Sequence, residues 1–170
     1  KLFDRMKNKA PKVAVLMEVK SGLPYLSAQI DSILHQQDCE VSLLISDDLS
    51  TDGSAELLQK LSTEHINILL LPNTNSHGSA ARNFFRLIKE VDIDGFDYFA
   101  FADQDDIWFP DKLARHIQLE REHKADGISS NAVAFWPDGR ECLLDKAQPQ
   151  REFDFLFESA GAGCTYLMTP

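Results

Sequence analysis

A chain of 170 residues with 44% hydrophobic content is long enough for one domain of ordinary size with a real core. Its 17 Lys plus Arg against 27 Asp plus Glu leave a formal charge of -10, which opposes nonspecific binding to nucleic acid or to an anionic membrane and suits a cation-dependent enzyme. Cys39, Cys142 and Cys164 form no CxxC spacing, so neither a disulfide framework nor a zinc site is suggested, and no apolar run approaches the roughly 20 residues that span a bilayer. With a start over 1–12 that lacks the apolar core of a signal peptide, the expectation is a cytoplasmic chain in a reducing compartment, peripheral contact at the inner face of the membrane staying open.

Short apolar runs of strand type alternate with segments of helical period, the pattern of βαβ units in a mostly parallel sheet. Val13 to Met17 predicts a first strand, and Leu26, Ile30, Ile33 and Leu34 repeat at helical spacing behind it. Val41 to Ile45 predicts a second strand, after which Asp52 and Gly53 introduce a helix carrying Leu57, Leu58 and Leu61. Ile66 to Leu71 reads as a third strand, followed by a turn-rich stretch over 72–78 and a helix marked by Ala81, Phe84, Phe85, Ile88 and Val91. Tyr98 to Ala102 is the fourth strand. Pro110 sits where a first-turn proline belongs, ahead of a helix with Leu113 and Ile117 on one face that runs to about His123. Ile128 to Trp136, the turn Pro137-Asp138-Gly139 and the pair Leu143-Leu144 then predict antiparallel strands, with a short aromatic helix near Phe153 to Phe157.

Asp103, Gln104, Asp105 and Asp106 follow the fourth strand directly. Adjacent carboxylates repel one another and each costs free energy to bring out of water, so such a cluster suits a hard cation or a cationic ligand. An acidic loop that merely caps the next helix is the alternative. Position favours a ligand, because open α/β sheets bind outside the carboxyl ends of their strands. A second acidic pair, Asp47-Asp48, closes strand two, where a carboxylate can accept from a nucleobase N–H or ribose hydroxyls. Asp48 is the candidate contact and Asp47 stays open; for Ser50, Thr51 and Asp52 helix capping is the expected role. Gly161-Ala162-Gly163-Cys164 lets a ligand or backbone approach closely, with a bulge or tight turn equally open. Neither GxGxxG nor GxxxxGK(S/T) is present, which leaves phosphate to a metal or an arginine. His35, His65, His77, His116 and His123 show no metal-type pairing, and only His77, in a loop beside Gly78, is worth following.

Together these segments resemble the family 2 glycosyltransferases with the GT-A fold, and within them the rhamnosyltransferase-like bacterial members. The resemblance runs from Lys12 to the last residue and is carried by Val13 to Met17, Tyr25-Leu26, Gln29 to Gln36, Asp47 to Ser54, Ala81 to Phe84, Phe101 to Trp108, Pro110 to Leu113 and Gly163-Cys164-Thr165. It implies an α/β GT-A (Rossmann-like) mixed sheet, mostly parallel, flanked by helices and truncated at its C-terminal end. A single domain is expected, with a nucleotide-binding front over about 12–106 and an acceptor-side part over about 107–170. The family's DxD motif maps onto Asp103-Gln104-Asp105. That implies Asp105 as main ligand of a Mn²⁺ or Mg²⁺ bridging the diphosphate, with Asp103 sharing the metal and facing the ribose or donor sugar. Gln104 and Glu18 would line the nucleotide-sugar site, Asp48 would read the base, and Arg82 would approach the diphosphate; for Arg82 a plain surface position is the alternative. Gly163 and Cys164 would lie on the acceptor side.

Two departures from the family stand out. Glu18-Val19-Lys20-Ser21-Gly22 replaces the usual Thr-Tyr-Asn-Gly type of turn around the nucleobase, and Leu49 replaces the glycine of the Asp-Asp-Gly-Ser run. The implied activity is inverting, metal-dependent transfer of a sugar from a nucleotide-diphospho-sugar to a hydroxyl of a glycan or lipid-linked glycan, in bacterial cell-surface polysaccharide synthesis. No nucleic-acid partner is expected. The family's catalytic base is expected past Pro170, since Asp145, Glu152, Asp154 and Glu158 all precede the Gly163-Cys164-Thr165 segment. A noncatalytic sugar-nucleotide-binding or interaction domain of the same fold is the alternative, and a receiver-like signalling domain is disfavoured by the Asp103 to Asp106 cluster.

Overall fold

The computed structural model describes residues 9–147, 152, 153, 156, 159 and 161–170. Strand β1 (Lys12–Val19) is buried from Val13 onward, which explains why its sequence is an apolar run and not an alternation: a central parallel strand is covered on both faces. Around it the chain lays down α1 (Leu23–Leu34), β2 (Glu40–Asp47), α2 (Ser54–Glu64), β3 (Ile68–Leu70), α3 (Ala80–Glu90), β4 (Tyr98–Ala102) and α4 (Lys112–His123). Short strands β5 (Gly127–Ile128), β6 (Ala132–Phe135), β7 (Glu141–Leu144) and β8 (Leu167–Met168) follow, with a single 3-10 turn at Gly163–Thr165.

Six strands form one sheet in the order β3-β2-β1-β4-β8-β5. β1 pairs in parallel with β2 and β4, and β2 with β3, whereas β8 runs antiparallel between β4 and β5. Because successive side chains of a strand point to opposite faces, β1 feeds two cores. Val13, Val15 and Met17 pack with Leu26, Ile30 and Ile33 of α1, Leu58 of α2 and Leu113 and Ile117 of α4. Ala14 and Leu16 face Leu44 and, from α3, Leu87, with the Phe84 and Phe101 rings edge-on at 5.4 Å. Each fully buried aliphatic side chain contributes roughly 1.5–3 kcal/mol. The β6–β7 hairpin forms a second sheet and is largely exposed.

The expected mostly parallel α/β sheet is the one observed, with local differences. β3 begins at Ile68 and not at Ile66, whose side chain stands wholly in solvent while the Asn67 amide donates to the Val41 carbonyl at 3.1 Å. Helix α4 begins at Lys112; Pro110 belongs to the preceding turn, where its carbonyl accepts from the Gln37 N–H at 2.9 Å. The run from Ile128 to Trp136 divides into β5 and β6 with different partners. The aromatic helix expected near Phe153 to Phe157 falls mostly outside the described residues, as do Asp154 and Glu158. Among the described residues no helix is long and apolar enough to cross a membrane.

Candidate functional site

The parallel register decides which residues can meet. Val19 stands opposite Asp47, and Met17 opposite Ala102, so the carboxyl ends of β1, β2 and β4 bring Glu18, Asp47-Asp48 and the Asp103 to Asp106 loop to one edge. Glu18 is buried and receives the Asn83 amide at 3.5 Å. Burial raises its carboxyl above the usual range; the Asn83 bond opposes this, and the charges of Asp103, Asp48 and Asp105 add to it. Asp103 is pushed up to about 6, first by burial and then by Asp106 and Asp105.

Within the acidic loop the residues separate by environment. Asp105 is exposed, whereas Asp103 and Asp106 are part-buried and gather with Cys164, their ligand atoms lying within 4.8 Å of one another. Asp106 Oδ2 is buried without a hydrogen-bond partner among the described residues. Burial, the bond to Asp106 and the charges of Asp106 and Asp103 push the Cys164 thiol up to about 12, so the sulfur keeps its proton at neutral pH. Gly163 borders the same cluster, since a Cβ there would stand 4.0 Å from Asp103 Oδ2. Gly161 serves a tight turn instead: a Cβ there would meet Thr165 Oγ1 at 2.6 Å.

The turn after β1 is bound on every side. Gln104 accepts from the Lys20 N–H at 2.7 Å and donates to the Lys20 carbonyl at 3.1 Å, so its amide is engaged by backbone. Ser50 Oγ accepts from the Ser21 N–H at 2.8 Å, and Ser54 Oγ from the Gly22 N–H at 3.1 Å. Asp52 caps two helices at once, accepting from the Leu23 N–H that opens α1 and the Ser54 N–H that opens α2, each at 3.0 Å. The Lys20 ammonium reaches back to the carbonyls of Asp48 and Leu49. Leu49 itself sits at φ +56°, the left-handed region that a glycine would hold without a Cβ penalty.

Asp48 is 3% exposed, and its carboxylate accepts from the Ser76 hydroxyl and the His77 and Gly78 N–H groups. Burial pushes it up, but those bonds and the Lys20 charge prevail and hold it below the usual carboxylate range. Asp48 is thus the anchor of the 76–78 loop, and the His77 ring Nε2 is buried there without a partner among the described residues. Arg82, in the first turn of α3, is exposed and forms no ion pair with a described residue.

Sequence reasoning placed Asp106 in the acidic cluster without a role of its own and assigned none to Trp108 or Lys112. The Lys112 ammonium lies 3.2 Å from the Trp108 ring centroid, buried and without a hydrogen-bond partner among the described residues, and burial pushes it down to about 7 against the charges of Cys164 and Asp106. Trp108 lies in the loop ahead of α4, which begins at Lys112, so no helical spacing in the sequence announced the pair. A divalent cation fits this edge: clustered oxygen donors, a buried carboxylate oxygen without a partner and a carboxyl raised by its acidic neighbours all suit a hard ion such as Mn²⁺ or Mg²⁺.

The model of glycosyl transferase family 2 matches residues 14–161. The dTDP-rhamnosyl transferase RfbG of Shigella flexneri is 43% identical over 153 residues, which cover 89% of this chain and 53% of that protein. The UDP-Glc:alpha-D-GlcNAc-diphosphoundecaprenol beta-1,3-glucosyltransferase WfgD of Escherichia coli is 27% identical over 160 residues, 89% of this chain and 57% of that one. Among solved structures, S. aureus TarS in complex with UDP superposes with a TM-score of 0.65 at 18% identity, covering 93% of this chain and 46% of that one. The mannosyltransferase PcManGT of Pyrobaculum calidifontis, in complex with GDP-Man and Mn²⁺, gives 0.64 at 16% identity over 95% of this chain and 45% of that one. The chain therefore spans about half the length of these relatives and shares the GT-A fold of the two solved structures. With a family model matched over most of its length, and the acidic loop at the strand ends of that fold, the chain belongs to glycosyl transferase family 2.

Proposed function

We propose that this chain binds a nucleotide-diphospho-sugar and serves transfer of its sugar to a hydroxyl of a glycan or lipid-linked glycan, with inversion and with a divalent cation, in bacterial cell-surface polysaccharide synthesis. The observation that carries the reading is the gathering of Glu18, Asp48 and the Asp103 to Asp106 loop at one sheet edge, in a chain of this family. RfbG's name supports a dTDP-linked 6-deoxyhexose as donor, and WfgD's a diphospholipid-linked sugar as acceptor. Asp105 and Asp103 would hold the cation, which when bound neutralises the departing nucleoside diphosphate. The Mn²⁺ in PcManGT supports the dependence on a divalent cation.

The chain's own groups do the rest. Arg82, exposed at the start of α3, has no competing ion partner among the described residues and breaks no ion pair with them in turning to a phosphate. Asp48 recognises the base edge through the 76–78 loop that it anchors, and Gln104 and Glu18 fix the floor between the β1 turn and the acidic loop. Titration calorimetry with UDP, GDP and dTDP, with and without Mn²⁺, tests the reading. dTDP with metal is expected to bind most tightly, and Asp105→Ala to abolish the metal-dependent part without unfolding the chain. Metal-independent binding, or an Asp105→Ala protein with unchanged affinity in Mn²⁺, would sink it. Tight nucleotide binding with no turnover in the presence of acceptor, measured on the full-length protein, would identify the noncatalytic alternative.

A further inference from the structure

The Arg86 side chain of α3 is only 8% exposed, and its guanidinium is shared among three elements. Nε donates to Glu90 one turn along the helix at 3.0 Å, one terminal nitrogen donates to the Ser46 hydroxyl of β2 at 2.8 Å, and the other donates to the Pro72 carbonyl after β3. An arginine kept only for an i, i+4 ion pair stays in water, where the pair is worth little. This one is turned inward, onto a backbone carbonyl and a hydroxyl that is itself 0% exposed.

The bonds leading away from Arg86 have a direction. A guanidinium has donors and no acceptor, so the Ser46 hydroxyl accepts from Arg86 and sends its own proton onward to the Asn83 side-chain oxygen. That fixes the Asn83 amide with its nitrogen toward the Ser46 carbonyl at 2.9 Å and the Glu18 carboxylate at 3.5 Å. Asn83 is fully buried as well, so water offers the chain of bonds no substitute partner. The loop over 72–78 is tied along its length: Arg86 holds the Pro72 carbonyl, the Asn73 amide donates to the Asp47 carbonyl at 2.7 Å, and Asp48 accepts from Ser76, His77 and Gly78. We propose that Arg86 is a positioning residue of the donor site. Without touching the donor, it fixes the start of the loop through which the base is recognised and, through Ser46 and Asn83, the orientation of Glu18. The proposal rests on the donor-site reading above and adds the buried support that preorganises it.

Calorimetry on the full chain in Mn²⁺ tests it, with dTDP and inorganic pyrophosphate as probes: dTDP needs the loop, whereas pyrophosphate needs only the metal and Arg82. Arg86→Met is expected to weaken dTDP about tenfold, as loss of a supporting residue behind a ligand does, and to leave pyrophosphate unchanged. Ser46→Ala keeps the Arg86–Glu90 pair and removes one small group, so it carries the test if Arg86→Met fails to fold. It is expected to weaken dTDP by about threefold, the effect of one neutral hydrogen bond, again with pyrophosphate unchanged. Hydrogen exchange of the 72–78 backbone, recorded without nucleotide, should quicken in Arg86→Met. A folded variant with full dTDP affinity, an equal loss for dTDP and pyrophosphate, or loop exchange at the parent's rate would overturn the proposal, the first two leaving Arg86 a purely structural role. Failure of the unsubstituted chain to bind either probe would strike the donor-site reading instead, and the exchange measurement, which needs no ligand, separates the two failures.

Discussion

At position 49 a leucine occupies backbone that favours glycine, with φ +56° and a side chain 41% exposed. Left-handed backbone costs an L-residue roughly 1–2 kcal/mol, and little burial returns it here. Leu49→Gly is therefore expected to stabilise the fold by about 0.5–1 kcal/mol after the extra flexibility of the unfolded glycine chain is counted. A urea titration checks this, and a lower midpoint would mean that the Leu49 side chain makes contacts worth more than the strain. Asp48 offers the opposite case. Its carboxylate accepts from the Ser76 hydroxyl and from the N–H groups of His77 and Gly78, so Asp48→Asn turns one acceptor oxygen into a donor facing donors. Nucleotide binding should weaken by roughly 1–3 kcal/mol together with a loss of order in the 76–78 loop. Equal calorimetric affinity in the two proteins would make Asp48 structural only.

Between elements, the loops after β1, β2 and β4 act as one assembly because side chains of two of them satisfy the backbone of the third. Gln104 carries the link from β4 to β1, and Gly22 leaves room for it: a Cβ at Gly22 would meet Gln104 Oε1 at 2.5 Å. Gly22→Ala should displace the Gln104 amide and free the Lys20 N–H, lowering stability by about 1–2 kcal/mol. A double-mutant cycle with Gln104→Ala tests the mechanism, since the two losses should then fall well short of adding. Additive losses would show that Gly22 acts independently of the clasp. The same clasp explains how Glu18-Val19-Lys20-Ser21-Gly22 holds a defined turn with Ser21 itself at φ +55°.

For the whole molecule, the acidic edge sets a dependence on pH. Asp103 rises from its ordinary 3.8 to about 6, so the folded state binds that proton more tightly than the unfolded chain. Its stabilising contribution is complete below pH 3.8 and is lost as pH rises through about 6. In chelator at pH 7, Asp103→Asn should thus be more stable than the parent by about 1 kcal/mol, a figure kept low because the carboxylate is part-exposed. The advantage should vanish near pH 4. His116 works in the other direction: burial, then Lys112 and Arg115, lower it from 6.5 to about 4, so its contribution is present above 6.5 and lost as pH falls through 4. Comparing variant with parent at each pH cancels that shared background. A difference in melting temperature that does not change with pH would refute the assignment to Asp103.

The strands were legible because strand and helix periods are local properties, and the uncharged Tyr98 to Ala102 run, bounded by Asp97 and Asp103, needs no distant partner to be recognised as a strand. The acidic loop and the Asp47-Asp48 pair could likewise be placed at strand ends from chain order alone. Composition and periodicity could not say that β8 enters antiparallel between β4 and β5, because two-residue strands carry no period. Nor could they say that Asp106 pairs with Cys164, that Asp48 spends its charge on a loop some thirty positions away, or that Lys112 is buried over Trp108. A charged side chain reads as solvent-facing in any local pattern, and whether it is desolvated depends on what the rest of the chain stacks against it. The sequence by itself determined the order of strands and helices and the chemistry available at their ends; the tertiary structure decided which of those groups are spent on holding loops and which are left free for a ligand.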